Sequence, residues 1–263
     1  MIKLIVTDLD GTILDNSGNL NEEFEAVFNE IDKKGIIFMA ASGRQYPSLL
    51  RTFESVKDKM MYIAENGTFA VYKGKELLCD PIDKESVNEI IDFARKSKTM
   101  EILVNTKYTA YVECKDEEFL ETLKIYCADV TVVDDLKEVN EEILKVSIYD
   151  RELIINNCKP YFDKFGERMS VCTSGEHWLD IMKKGVTKGK ALETIKKEYG
   201  LKDDEIMIFG DQMNDLELIE CGYYSYAMEN AIDELKEKAR FIAGRNDENG
   251  VLEKIKEVLD ITI

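Results

Sequence analysis

The chain opens on an apolar, β-branched run from Ile2 to Thr7 that breaks off in Asp8-Leu9-Asp10-Gly11-Thr12. Such a run suits a strand buried on both faces within a parallel sheet, and it puts two carboxylates at the strand's carboxyl end. An amphipathic stretch follows, with Phe24, Val27, Phe28 and Ile31 on one face and Gly35 as its stop. Residues Ile36 to Ala41 then form a second apolar strand, ending at Ser42-Gly43-Arg44. Strand, helix and strand at this spacing predict a right-handed parallel crossover.

The C-terminal third follows the same grammar. Ala191, Leu192, Ile195 and Tyr199 make one helix face, with Gly200 as the stop. Ile206 to Phe209 is a short buried strand running into Gly210-Asp211, and Tyr223–Ala227 and Phe241-Ile242 continue the alternation with helices near 231–239 and 251–259. The two ends together predict one α/β layer, a doubly wound, Rossmann-like parallel sheet assembled from residues 1–80 and 186–263. The middle, 81–185, differs. It opens on a helix bearing Val87, Ile90, Ile91 and Ala94, and then shows strand-like pieces at 101–105, 108–113, 145–149, 168–173 and 178–182 with a helix near 117–127. This reads as an inserted α+β domain with mostly antiparallel neighbours. No repeat, low-complexity tract or Gly/Ser-rich linker interrupts the chain, and Pro81 marks one candidate hinge.

Charge narrows the possible partners. The 53 acidic residues outnumber the 35 basic ones, for a net charge of −18. That field repels a phosphodiester backbone, and no basic stripe counters it, so a nucleic-acid partner is not expected. The longest apolar runs fall far short of the ~20 residues that span a bilayer. The Leu4-Ile5-Val6 run ends at once in acidic residues, unlike a signal peptide. A cytoplasmic protein with no membrane partner, monomeric or a small homo-oligomer, is the expectation. The six cysteines form no C-x-x-C pair and His177 is the single histidine, so six reduced thiols are expected rather than a metal site or a thiol–imidazole pair.

Four segments carry the chemistry. In an open parallel sheet, ligands bind outside the carboxyl ends of the strands. Asp8 and Asp10, with Gly11 permitting a tight turn, can converge there on one hard cation. Asp8 is a candidate nucleophile and Asp10 a candidate proton carrier. At the next strand end, the Ser42 hydroxyl and the backbone N–H of Gly43 can hold a phosphate oxygen. Gly185-Val186-Thr187-Lys188-Gly189-Lys190 falls short of a P-loop, because its glycines are one residue too close and Ala191 stands where Ser or Thr must bind magnesium. Lys188, near a helix start, reads instead as a point charge for phosphate, with Lys190 as its rival. Gly210-Asp211-Gln212-Met213-Asn214-Asp215 adds two carboxylates and an amide at a third strand end. Singly, these are an acidic turn, a Ser-Gly turn and a helix N-cap. Their order along the chain and their shared side of the sheet argue for a site.

These segments resemble the ordered signature of the haloacid dehalogenase-like phosphohydrolases. Asp8 and Asp10 look like the first motif, Ser42 the second, Lys188 the third, and Asp211 with Asp215 the fourth. The insert is placed and sized like a type IIB (C2B) cap, as in the Cof-type sugar-phosphatase group. Glu65-Asn66-Gly67-Thr68, Ala227-Met228-Glu229-Asn230-Ala231 and Asn249-Gly250-Val251 are further likenesses, so the match spans almost the whole chain. The resemblance implies a magnesium-dependent phosphatase of small phosphorylated metabolites, sugar phosphates or a phosphorylated cofactor, acting through an aspartyl-phosphate on Asp8. It implies metal ligands from the Asp8 side chain, the Asp10 carbonyl and Asp211, with Asp215 behind them, and phosphate binding by Ser42, Gly43, Lys188 and Asn214. The resemblance further implies that Asp10 protonates the leaving alkoxide beneath a cap that excludes water. His177 and Trp178 are candidate specificity residues of the cap. A hexose-phosphate mutase and a non-catalytic sensor of phosphorylated ligands are the alternatives.

Overall fold

The first strand, β1 (Leu4–Thr7), is buried along its whole length. It pairs in parallel with β2 (Ile37–Ala41), Leu4 opposite Ile37 and Thr7 opposite Ala40. The helix Phe24–Lys33 joins them, and its four buried residues are Phe24, Val27, Phe28 and Ile31. Phe24 meets Phe38 edge-on at 5.4 Å and Phe53 at 5.2 Å, so an aromatic cluster locks helix to sheet. Three strands beyond those expected from the pattern follow: β3 (Met61–Ala64), parallel to β2, then β4 (Phe69–Tyr72), antiparallel to β3, and β5 (Lys75–Cys79). This computed structural model describes residues 1–174 and 176–263, and only the backbone of 125 and 126.

Residues 79–186, together with 44–48, cluster as a unit of their own. It holds β6 (Met100–Asn105), β7 (Ala110–Val112), β8 (Val130–Val132), β9 (Lys145–Asp150), β10 (Met169–Thr173) and β11 (Trp178–Lys183). The strand order is β10-β11-β9-β6-β7-β8, antiparallel except where β7 meets β8. One face is apolar: Ile102, Val104, Val146, Ile148, Leu179 and Ile181 pack in one buried cluster with Val87, Ile90 and Ile91 of the helix Lys84–Ala94. Alternation along each strand sends Asn105, Ser147 and Asp180 to the other face, where they too are buried. Helices at Ile154–Asn157 and Lys159–Phe165 add to the elements expected in this unit.

The chain then returns to the first sheet through the helix Lys188–Tyr199. β12 (Ile206–Gly210) lies against the free flank of β1, Leu4 opposite Ile206 and Thr7 opposite Phe209, followed outward by β13 (Tyr224–Met228) and β14 (Phe241–Ala243). The eight-stranded order is β14-β13-β12-β1-β2-β3-β4-β5, parallel from β14 to β3. Chain progress therefore reverses between β1 and β12, the kind of switch point at which doubly wound sheets bind ligands. The six cysteines, all among the described residues, form no disulfide. Among the described residues, no helix is long and apolar enough to cross a membrane.

Phe38, 1% exposed on the central β2 and held by the Phe24 ring, should be costly to truncate. Phe38→Ala is expected to lose about 3–5 kcal/mol in urea unfolding, and a loss below about 1 kcal/mol would show that this cluster does not anchor the sheet.

Candidate active site

The parallel register sets the site. Thr7 and Phe209 are partners across β1 and β12, and the Asp8 N–H continues the ladder to the Phe209 carbonyl at 3.0 Å. Asp8 and Asp211 are thereby delivered side by side beyond two neighbouring strand ends. A third component comes from the helix Lys188–Tyr199, whose N-cap Thr187 accepts a hydrogen bond from the Lys190 N–H. Lys188 is 1% exposed, and its ammonium donates to Asp8 Oδ1 at 2.6 Å and Asp215 Oδ1 at 2.8 Å. Lys190 is exposed, so only Lys188 brings its charge into this cluster.

Asp215 spends both oxygens on holding its neighbours. Oδ1 takes the Lys188 ammonium, and Oδ2 accepts the backbone N–H groups of Asp211 at 3.1 Å and Gln212 at 3.2 Å. Asp211 is steadied from the first loop, where the Thr12 hydroxyl donates to its Oδ1 at 3.0 Å. That loop, Leu9–Ile13, turns through Gly11 at φ +76°, and a side chain there would come within 2.4 Å of Asp211 Oδ2. Glycine is required on both counts. Asn230 clamps the turn from β13's far end, donating to the Gly11 carbonyl at 2.7 Å while its own Oδ1 accepts the Asn246 N–H.

A second group of contacts gathers the amide and hydroxyl positions. Ser42 is buried, donates its N–H to the Ile63 carbonyl, and accepts the Asn66 N–H on its own carbonyl. Asn66, in the left-handed region at φ 57°, accepts the Asn214 side-chain amide at 3.2 Å. Next to it Gly67, at φ +106°, lets the turn between β3 and β4 approach the Lys188 helix so closely that a side chain would lie 2.4 Å from the Thr187 carbonyl. Ser42, Asn214 and Lys188 are thus tied through Asn66-Gly67. Asp10 is exposed on the same loop as Gly11. His177 and Trp178 belong to the other unit. His177 donates Nδ1–H to the Asp150 carbonyl at 2.7 Å and stacks on Tyr149 at 5.5 Å, and Trp178 meets the same ring at 4.9 Å.

Thr12, Asn66 and Asn230 are parts that pattern reading leaves without a role. Asn66-Gly67 carries a local sign, because Asn-Gly favours left-handed turns. Thr12 and Asn230 lie in segments already singled out, but their partners are 199 and 219 residues away, so nothing local shows what they bind.

Charge defines what this arrangement can take. One oxygen from each of Asp8, Asp211 and Asp215 lies within 4.8 Å of the others, and all three residues are buried. Fully ionised, they exceed the Lys188 ammonium by two negative charges. Burial, more than any neighbour, pushes the Asp8 carboxyl well above its usual range, with Lys188 pulling it back. Burial and then the Asp215 charge lift Asp211 to about 6. Burial alone would lower Lys188, but the Asp215 and Asp8 charges overcome it and hold the ammonium protonated. A small divalent cation with oxygen preference matches both the donor set and the surplus charge.

An acid raised in the native state binds protons that the unfolded chain has released, so its contribution to stability falls as pH rises from about 4 to 6. With divalent cations removed, Asp211→Asn should therefore be more stable than the parent at pH 7, by on the order of 2 kcal/mol, with the advantage fading towards pH 4. Chemical unfolding of both proteins at the two pH values checks this; an advantage independent of pH would refute it.

Three comparisons bear on this geometry. A family model described as haloacid dehalogenase-like hydrolase matches residues 5–255. A 5-amino-6-(5-phospho-D-ribitylamino)uracil phosphatase of Escherichia coli K12 is 31% identical over 261 residues, covering 98% of this chain and 96% of the relative. Among solved structures, TM0651 of Thermotoga maritima is 26% identical and superposes with a TM-score of 0.89, covering 100% of this chain and 98% of that one. A subclass IIB sugar phosphatase at 21% identity shares the fold, with a TM-score of 0.79 over 98% of this chain and all of its own.

Proposed function

Since this chain belongs to the haloacid dehalogenase-like hydrolases, we propose that it is a magnesium-dependent phosphatase of small phosphorylated metabolites that works through an aspartyl-phosphate. The observation that carries the proposal is the buried Lys188 ammonium bridging Asp8 and Asp215 beside Asp211. It supplies a nucleophile, a fixed positive charge and surplus negative charge within one cluster.

Phosphoryl transfer asks the protein mainly for positioning and charge neutralisation. Asp8, the Asp10 backbone carbonyl and Asp211 would hold magnesium, which offsets the repulsion between a phosphate dianion and the Asp8 carboxylate. The Asp8 carboxylate attacks phosphorus, forming an oxygen–phosphorus bond as the bond to the leaving alkoxide breaks. Asp10 gives its proton to that alkoxide. Water then attacks phosphorus, Asp10 takes the water's proton, and inorganic phosphate departs with Asp8 regenerated. Lys188, Ser42, the Gly43 N–H and Asn214 hold the transferring oxygens. Asp215, with both oxygens engaged, keeps Lys188 and the Asp211 backbone in place. Residues 81–185 act as the cap that selects the leaving group.

A panel of phosphate esters, including sugar phosphates and 5-amino-6-(5-phospho-D-ribitylamino)uracil, tests the reading when assayed with magnesium and with chelator. Phosphate release should require magnesium, and Asp8→Asn should abolish it; an Asp8→Asn enzyme keeping even about a tenth of parental activity would contradict the proposal.

A further inference from the structure

Gly11 is free to change conformation, so the shape of its loop has to be held from outside. Asp10 at φ −73°, ψ 120° and Gly11 at φ 76°, ψ 3° are the two central residues of a type II turn, and that turn sets the direction of the Asp10 carbonyl. Glycine visits negative φ as readily as positive, so Gly11 permits this turn without enforcing it. Both residues leave helical geometry inside Leu9–Ile13, and the carbonyls that follow need partners from elsewhere. Two asparagines from the last quarter of the chain supply them. Asn230 Nδ2 donates to the Gly11 carbonyl at 2.7 Å, and Asn246 Nδ2 donates to the Leu14 carbonyl at 2.9 Å and to Asn16 Oδ1 at 3.0 Å. Asn246 is buried, and its backbone N–H donates to Asn230 Oδ1 at 3.0 Å.

Neither amide can turn over. A backbone N–H only donates and a carbonyl only accepts, so Asn230 must present Oδ1 to Asn246 and Nδ2 to Gly11. Asn16 is fixed in the same way. Its Nδ2 donates to Asp247 Oδ2 at 3.1 Å, on a carboxylate whose other oxygen takes Arg245 at 2.9 Å, which leaves Asn16 Oδ1 to accept from Asn246. With the Thr12 hydroxyl on Asp211, the loop is anchored at Gly11, Thr12 and Leu14, directly after the Asp10 carbonyl. Every one of these residues lies in the unit built on the eight-stranded sheet. Magnesium asks for a near-ideal octahedron of oxygens at about 2.0–2.1 Å, whereas calcium accepts looser arrangements at about 2.3–2.6 Å. A ligand carbonyl that wanders therefore costs magnesium more than calcium.

We propose that Asn230, braced by Asn246, holds the Asp10 carbonyl in place for magnesium and thereby sets how far the site discriminates against calcium. The assignment rests on the magnesium-dependent reading above. Asn230 is a positioning residue: it acts through the Gly11 carbonyl and supplies no group to the metal or the phosphate.

Calorimetric titration of magnesium and of calcium into the parent and into Asn230→Asp at neutral pH tests this. The aspartate keeps the shape of asparagine and still accepts the Asn246 N–H, but once ionised it cannot donate to the Gly11 carbonyl. Its added charge alone would tighten both cations, so weaker magnesium binding cannot come from charge. The magnesium Kd should rise about tenfold while the calcium Kd changes by less than about threefold. Asn230→Ala, which adds no charge, should move the ratio of the two constants in the same direction. That ratio does not depend on how much of a variant is folded. An unchanged ratio in either variant, or tighter magnesium binding in Asn230→Asp, would overturn the assignment. Turnover of p-nitrophenyl phosphate by the parent separates the two levels: if it is absent or needs no magnesium, the reading beneath is lost, whereas magnesium-dependent turnover with an unchanged ratio sinks only the role of Asn230.

Discussion

A buried ammonium cannot stand alone, and the arrangement around Lys188 follows from that constraint. At 1% exposure it must be met by negative charge, and Asp8 and Asp215 meet it at 2.6 and 2.8 Å. Asp215 then uses its other oxygen on the backbone of Asp211 and Gln212, which fixes the turn after β12. Asp211 in turn receives Thr12 from the turn after β1. One lysine thus couples two strand ends and a helix start that are far apart in sequence. The three carboxylates leave a surplus of negative charge, and that surplus is what makes the cluster receptive to a cation.

This local balance answers the apparent conflict between a chain of net charge −18 and an anionic substrate. Long-range repulsion acts through solvent and is screened within about 8–10 Å. Within that range the Lys188 ammonium and a divalent cation held by Asp8 and Asp211 would offset the cluster's own negative surplus, so the local balance and not the chain's net charge meets a phosphate. The same logic explains why the acidic residues cluster where parallel strands end, beyond the ladder hydrogen bonds and outside the apolar layer.

The motif residues were legible because each stands directly behind an apolar run, where a change from core to charge is visible locally. Asp8, Ser42 and Asp211 all follow this rule. The choice between Lys188 and Lys190 was not legible. Residues two apart on a helix point about 200° from each other, so only the helix's rotation against the sheet decides which one is buried. Thr12 and Asn230 stand in segments the sequence marks, but what they hold was not legible, because each ties the first quarter of the chain to the last. β5 was missed because its residues are all exposed or half-buried, which gives no apolar run to read. His177 and Trp178, read as candidate specificity residues, pack on Tyr149, and His177 donates to the Asp150 carbonyl.

What remains central is whether phosphorus is bonded to the protein for part of each turnover. The configuration of a chiral phosphorus centre reports this directly, since each in-line displacement inverts it. Hydrolysis of a phosphate or thiophosphate ester made chiral with oxygen isotopes, in isotopically labelled water, would reveal the count. Two displacements, by Asp8 and then by water, give overall retention, the result expected here. Overall inversion would mean that water attacks the substrate itself, and would contradict the role assigned to Asp8.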